Sequence, residues 1–168
     1  MNEFQECFDA AEDGRNEPFW DAVYRKYFYN MTNHMPGKKE YCNSQKNGVD
    51  RIIYLENGKT ITIDEKVRRK VYDDIALEYV SNDKTKSPGW IEKDLSIDYL
   101  AYAFLPTQTV YLFDWCALKR AWNHFKVNWK EKYPTAVAPN PYYNTLSCCV
   151  PINVLRDACS RSTIIKLP

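Results

Sequence analysis

The stretch GVDRIIYLENGKTITIDEKVR, residues 48–68, decides the fold. It contains two runs rich in isoleucine, valine, threonine and tyrosine, the residue types that strands favour. The dipeptide Asn57-Gly58 lies between the two runs and is the strongest short-range signal for a turn joining antiparallel strands. The sequence therefore predicts a β-hairpin that carries acidic residues at its open end.

The type of turn determines which residues of the two strands face each other. A two-residue type I′ turn would place Asp50 opposite Glu65. A type I turn with Gly58 in a bulge shifts the register by one residue and places Asp50 opposite Asp64. The apolar pattern allows either register if both faces of the sheet are covered. We favour the shifted register and keep Glu65 as the alternative to Asp64.

The acidic end of the hairpin also carries a lysine. Residues two apart on a strand share a face, so Asp64 and Lys66 project together. Two carboxylates, from Asp50 and Asp64, suit a hard cation such as Mg²⁺, which prefers oxygen ligands. The lysine can position a water molecule or neutralise the charge that develops on a phosphate. We therefore predict a site for phosphodiester hydrolysis with Asp50, Asp64 and Lys66 as its catalytic residues.

The segments around the hairpin predict a mixed sheet flanked by helices. Apolar residues at helical spacing indicate helices over residues 17–29 and 115–132, the second capped by Asp114. Further strands, a short helix and a closing edge strand are predicted over residues 72–80, 98–104, 109–114, 151–159 and 162–167. Residues 30–47, 81–93 and 133–147 are rich in polar residues, proline and glycine and are predicted as loops. This order indicates an α/β (α+β) fold with a mixed central sheet, in a single domain over residues 1–168.

The pattern resembles the PD-(D/E)XK nuclease superfamily, which includes type II restriction enzymes and archaeal Holliday-junction resolvases. The resemblance is carried by Gly48-Val49-Asp50, the hairpin and Ile63-Asp64-Glu65-Lys66. The order of flanking elements extends it over about residues 17–130. Two positions depart from the family pattern: Val49 stands where the family has proline, and Asp64 stands where glutamate is commoner.

This resemblance implies a restriction-endonuclease-like fold and nuclease activity that depends on Mg²⁺, with Mn²⁺ as a substitute. It implies that Asp50 and Asp64 bind the metal and that Lys66 is the catalytic lysine. The backbone carbonyl of Glu65 would be a further metal ligand. Glu78 and Glu17 are candidate additional acids, Glu17 because some family members carry an extra acid on the first helix.

Basic and aromatic residues cluster in sequence around the predicted site. The net charge is only +1, so a nucleic acid must be attracted by a local basic patch rather than by the whole molecule. Cations contact phosphates and an aromatic ring can stack on a base. The residues predicted to bind nucleic acid are Arg51, Arg68, Arg69, Lys70, Lys84, Lys86 and Trp90.

Several features of the sequence argue against other classes of protein. The sequence shows neither a charged-then-apolar leader nor a long apolar run, so we expect a cytoplasmic protein without a membrane partner, in the host cytoplasm if the gene is carried by a phage. The six cysteines form no C-x-x-C pair, so a zinc site is not expected.

Three questions stay open at this level. DNA is the favoured substrate, but RNA is not distinguished from it. A homodimer is an alternative to a monomer. The same fold could also serve as a non-catalytic module that binds nucleic acid or protein. In such a module Lys66 would point away from the acids.

Overall fold

The described part of the chain is a mixed α+β structure. A computed structural model describes residues 17–36, 48–160 and 162–168. These residues form three α-helices and ten strands in two sheets, and the mixed six-stranded sheet confirms the predicted α+β class. In chain order the elements are α1 (Glu17–Tyr27), β1 (Met31–Pro36), β2 (Arg51–Leu55), β3 (Thr60–Arg68), β4 (Asp74–Asn82), β5 (Ser87–Pro88), β6 (Tyr99–Phe104), β7 (Thr109–Asp114), α2 (Trp115–Lys132), β8 (Thr135–Pro139), β9 (Asn144–Pro151), α3 (Ile152–Ala158) and β10 (Ser162–Lys166). No described helix combines the length and apolar character that crossing a bilayer demands.

The central sheet has six strands in the order β1-β2-β3-β6-β7-β10. Strands β3 and β6 are parallel, and the other neighbouring pairs are antiparallel. Parallel neighbours need a long connection, and here the chain between them contributes β4 and β5 to the second sheet. That sheet has four strands in the order β5-β4-β9-β8.

Both faces of the central sheet are covered. On one face, Trp20 of α1 shares a hydrophobic cluster with Ile63 of β3. On the other face, Leu100 of β6 shares a cluster with Leu77 of β4 and Trp122 of α2. Each large side chain buried in this way stabilises the fold by about 1.5–3 kcal/mol. The central sheet therefore lies between α1 on one side and the second sheet with α2 on the other.

The hairpin adopts the shifted register. The backbone N–H of Gly58 donates to the carbonyl of Leu55 at 2.9 Å, and Gly58 has a φ of 76°. The N–H of Leu55 donates to the carbonyl of Lys59 at 2.9 Å, which leaves Gly58 as a bulged residue. Ile53 consequently faces Ile61, as in the favoured alternative. The bulged turn therefore confirms the predicted register.

Elements with strong local patterns are confirmed, including α1, β6, β7 and α2. Asp114 caps α2 by accepting a hydrogen bond from the N–H of Ala117 at 2.9 Å. The predicted strand over residues 72–80 exists as β4, but it belongs to the second sheet.

All three loop predictions are wrong in part, because strands form within each predicted loop. Residues 31–36, inside the predicted loop 30–47, form β1, and residues 37–47 lie outside the described residues. The predicted loop over residues 133–147 contains β8 and the start of β9. Strand β8 is largely exposed on both faces, so its sequence lacks the alternation that marks a half-buried strand. The predicted loop over residues 81–93 holds the end of β4 and the two-residue strand β5.

The turn can be tested by substitution of Gly58. A Cβ atom at this position would meet no atom within 4 Å, so any effect must come from the backbone conformation. We expect Gly58→Ala to lower the unfolding free energy by about 1 kcal/mol, and Gly58→Asn to lower it less, because asparagine tolerates positive φ better. Urea denaturation measures both values. An alanine variant as stable as the wild-type protein would contradict the assigned turn.

Candidate functional site

The open end of the hairpin brings the two predicted metal-binding acids together. Continuing the β2–β3 register by one residue places Asp50 opposite Asp64. The N–H of Asp50 donates to the carbonyl of Ile63 at 2.9 Å, which extends the strand pairing to this residue. The N–H of Glu65 donates to Asp50 Oδ2 at 2.9 Å. The carboxylate of Asp50 is therefore fixed beside the backbone of β3.

Lys66 completes the predicted group of three. Its Nζ donates to Asp64 Oδ1 at 2.5 Å. The Asp64 side chain is 3% exposed, whereas that of Lys66 is 31% exposed. Because side chains alternate along β3, both project toward the second sheet, away from α1. The structure thus brings Asp50, Asp64 and Lys66 together, with the lysine at the solvent boundary.

The electrostatics of this cluster are strongly perturbed. Burial raises the pKa of Asp64 well above its ordinary value, Lys66 opposes that rise, and the neighbouring carboxyl group of Asp50 adds to it. Burial acts to lower the pKa of Lys66, but Asp64 and Asp50 outweigh it and raise that pKa. Lys66 is therefore an ammonium ion held by acidic neighbours. A buried acid and a charged partner with shifted pKa values are typical of functional sites.

One oxygen of the cluster lacks a partner. Asp64 Oδ2 is buried and accepts no hydrogen bond from any described residue. An unsatisfied buried oxygen is costly, and native structures contain few of them. The carboxyl groups of Asp64 and Asp50 interact directly, and two acids this close together can share a proton or bind a cation.

Glu78, on the second sheet, interacts electrostatically with Lys66. Burial raises its pKa, while Lys66 and Lys93 act in the opposite direction, and its carboxylate accepts a hydrogen bond from the N–H of Trp90. The register of β4 shifts after Glu78, as at a β-bulge. A Cβ atom at Gly89 would collide with Glu78, so only glycine lets this segment pack so closely. The predicted additional acid Glu78 therefore lies within electrostatic reach of Lys66.

Arg51 and Glu17 lie on the opposite face of the sheet, which corrects two predictions. Arg51 is 2% exposed and forms ion pairs with Glu17 and Glu65, so it cannot contact a phosphate as placed. Glu17 binds this arginine rather than joining the acids of the site. The physical reason is strand alternation, since Arg51 must face away from its neighbour Asp50.

The side chain of Glu65 is also engaged on that face. Its Oε1 accepts hydrogen bonds from Arg51 Nε at 2.9 Å and from the hydroxyl of Tyr24 at 2.7 Å. The carboxylate is thus directed away from Asp50, which favours Asp64 as the second acid. The backbone carbonyl of Glu65 stays a predicted ligand. Tyr24 lies in the first predicted helix, and only the tertiary structure assigns a partner to its hydroxyl.

The residues predicted to bind nucleic acid differ in how far their side chains are exposed to solvent. Trp90 is 8% exposed within the core and cannot stack on a base as placed, because its ring packs under the second sheet. Arg68 is half-buried, and its Nε donates to the hydroxyl of Tyr102 at 2.7 Å. Four of the predicted residues are exposed and keep that prediction: Arg69, Lys70, Lys84 and Lys86.

The carboxylate oxygens of Asp50 and Asp64 suit a magnesium ion better than a metal that requires many protein ligands. Within residues 17–36, 48–160 and 162–168, no three histidine, cysteine, aspartate or glutamate side chains are arranged as a ready metal site. Mg²⁺ is usually bound through one or two carboxylates and completes its shell with water and substrate phosphates. Asp50 and Asp64, with the unpartnered Oδ2, fit that requirement.

Comparison of the chain with protein-family models, with curated proteins and with solved structures finds no match. The inference of function therefore depends on the residues and geometry described above.

The raised pKa of Asp64 can be tested through stability alone. An acid with a higher pKa in the folded state stabilises the fold at low pH, and this contribution is lost as the pH rises above the ordinary aspartate value of about 4. We therefore expect the unfolding free energy of the wild-type protein, relative to that of Asp64→Asn, to fall as the pH rises above about 4. Urea denaturation at a series of pH values measures the difference.

Glu131→Gln provides the control, because it removes an acid from the exposed surface of α2. The fall with pH should be larger for the comparison with Asp64→Asn than for the comparison with Glu131→Gln. A wild-type advantage over Asp64→Asn that is constant or grows with pH would contradict the assigned direction.

Proposed function

We propose that this protein is a nuclease that hydrolyses phosphodiester bonds with the help of a divalent cation, Mg²⁺ or Mn²⁺, and that DNA is its favoured substrate. The proposal rests on one observation. Lys66 Nζ donates to Asp64 Oδ1 at 2.5 Å, and Asp50 lies opposite Asp64 on the adjoining strand. Two acids and a lysine on neighbouring strands match the arrangement in the PD-(D/E)XK superfamily. The hairpin followed by a parallel neighbour of β3 supports the same assignment.

The role of each side chain follows from its position. Asp50 and Asp64 would bind the cation through their carboxylate oxygens, including Asp64 Oδ2. The bound cation would polarise a phosphate and lower the pKa of a water molecule. Lys66 reaches the solvent boundary, where its ammonium group can orient the attacking water or neutralise charge on the phosphate. Glu78 acts on Lys66 from the facing sheet and would hold the ammonium group as it exchanges partners.

The geometry favours catalysis over the non-catalytic alternative. A binding module would have no need to gather a buried acid, a second acid and an ammonium group at one strand end. Such a group is costly to bury and is usually retained for function. The cytoplasmic location, the homodimer and the identity of the nucleic acid remain predictions.

Cleavage can be tested on linear, circular, single-stranded and branched DNA and on RNA, each with Mg²⁺, Mn²⁺ or EDTA. We expect cleavage of at least one DNA substrate with a divalent cation and none in EDTA. Asp64→Ala should lower the rate by at least about 100-fold because it removes a cation ligand. The matched control is Asp73→Ala, which removes an exposed acid and should retain the wild-type rate. Cleavage that persists in EDTA, or a fully active Asp64→Ala variant, would refute the mechanism.

The variant Lys66→Met distinguishes the effect of Lys66 on the cleavage rate from its effect on cation binding. The ammonium group occupies one oxygen of Asp64, so its removal should leave cation affinity unchanged or stronger. The cleavage rate should fall by about 100-fold or more, because no group then orients the water or neutralises the phosphate. Single-turnover kinetics and calorimetric titration with Mn²⁺ measure the two quantities. Weaker cation binding by Lys66→Met would contradict this division of roles.

A further inference from the structure

A second polar cluster lies on the α1 side of the central sheet. We call it the Arg51 cluster, and it consists of Arg51, Glu65, Glu17 and Tyr24. Arg51 donates from Nη1 and Nη2 to the two oxygens of Glu17 at 2.8 and 2.9 Å. It donates from Nε and Nη2 to the two oxygens of Glu65 at 2.9 and 3.3 Å. Tyr24 donates to Glu65 Oε1 at 2.7 Å. One guanidinium group thus joins helix α1 to two strands.

The interior members of this cluster depend on each other. Arg51, Glu65 and Tyr24 are all buried, whereas Glu17 is 43% exposed at the solvent side. Burial raises the pKa of Glu65, while Arg51 and then Tyr24 oppose that rise. A buried charge is tolerated only when it is paired and hydrogen-bonded. Loss of the guanidinium group would leave the carboxylate of Glu65 without its counter-charge.

The Arg51 cluster is joined through the backbone to the predicted catalytic residues. Arg51 follows Asp50, and Glu65 lies between Asp64 and Lys66. The N–H of Glu65 is the group that holds Asp50 Oδ2. Because strand side chains alternate, fixing Arg51 and Glu65 on the α1 face directs their neighbours to the other face. A rotation of either residue would therefore move the acids of the site.

We propose that Arg51 is a positioning residue. Its planar guanidinium group holds Glu65 and Glu17 on the α1 face of the sheet. This contact keeps Asp50, Asp64 and Lys66 in register on the opposite face. Arg51 touches neither the cation nor the substrate in this assignment. The effect of Arg51 on catalysis rests on the proposed function, but its effect on the positions of Asp50, Asp64 and Lys66 does not.

The shape of the cluster explains why arginine is required. A guanidinium group offers its donors in a rigid plane and can bind two carboxylates at once. Lysine would preserve the charge but has a single nitrogen, so it cannot reproduce four contacts with two acids. Arg51→Lys therefore tests geometry at constant charge. Arg120→Lys is the matched control, because Arg120 is exposed on α2 and lies outside this cluster.

The first readout is amide hydrogen exchange measured by NMR, which requires neither cation nor substrate. We expect the Glu65 amide, which binds Asp50, to exchange about 10-fold faster in Arg51→Lys, as for a local opening. The amide of Leu112, in the central strand β7, should exchange at the wild-type rate. Equal acceleration of both amides would show general destabilisation, and an unchanged Glu65 amide would show no positioning. Either result overturns the proposal.

The second readout is the affinity for Mn²⁺ alone, measured by calorimetric titration. Loss of a group that supports metal ligands typically weakens metal binding by about 10-fold to 100-fold, and we expect a loss in that range. Arg120→Lys should bind Mn²⁺ as the wild-type protein does. Wild-type affinity in Arg51→Lys would overturn the proposal even if the variant were less stable.

Tyr24→Phe keeps the proposal testable if Arg51→Lys does not fold. It removes one hydrogen bond from Glu65 and preserves the packing of the ring, so the same local changes should occur to a smaller extent. Unchanged exchange of the Glu65 amide in both folded variants would overturn the proposal. A wild-type protein that cleaves no nucleic acid would instead refute the nuclease, while the amide exchange would still decide the role of Arg51.

Discussion

The register between β2 and β3 is the constraint on which the rest of the site depends. A slip by one residue would place Asp50 opposite Glu65 and move every side chain of one strand to the other face of the sheet. The positive φ of Gly58 produces a bulged turn that excludes this slip. A turn of a few residues therefore determines which acids can meet at the far end of the hairpin.

The same register gives two neighbouring acids opposite roles. Asp64 and Glu65 are both buried, and burial raises the pKa of each. Glu65 is compensated by a guanidinium group and a tyrosine hydroxyl, so its oxygens are occupied by the protein. Asp64 has one ammonium partner and one oxygen without any described partner. This difference is the reason for proposing Asp64, rather than Glu65, as the second acid that binds the cation.

Much of this structure can be predicted from the sequence because the relevant signals are local. The Asn57-Gly58 turn, the spacing of Asp64 and Lys66, and the cap at Asp114 each act within a few residues. Strand alternation could also have assigned Arg51 to the face opposite Asp50. The second sheet could not be predicted, because β8 is exposed and because β9 pairs with β4, which lies far away in the sequence. The burial of Trp90 and the partner of Tyr24 are likewise set by packing between elements remote in sequence.

The most direct test of the account is a crystal structure of the protein soaked in Mn²⁺, with data collected at the manganese absorption edge. We expect an anomalous difference peak between the carboxylates of Asp50 and Asp64, within coordinating distance of Asp64 Oδ2, and the displacement of Lys66 from that acid. Saturating Mn²⁺ that yields no peak at this position, with Lys66 still bound to Asp64, would contradict it.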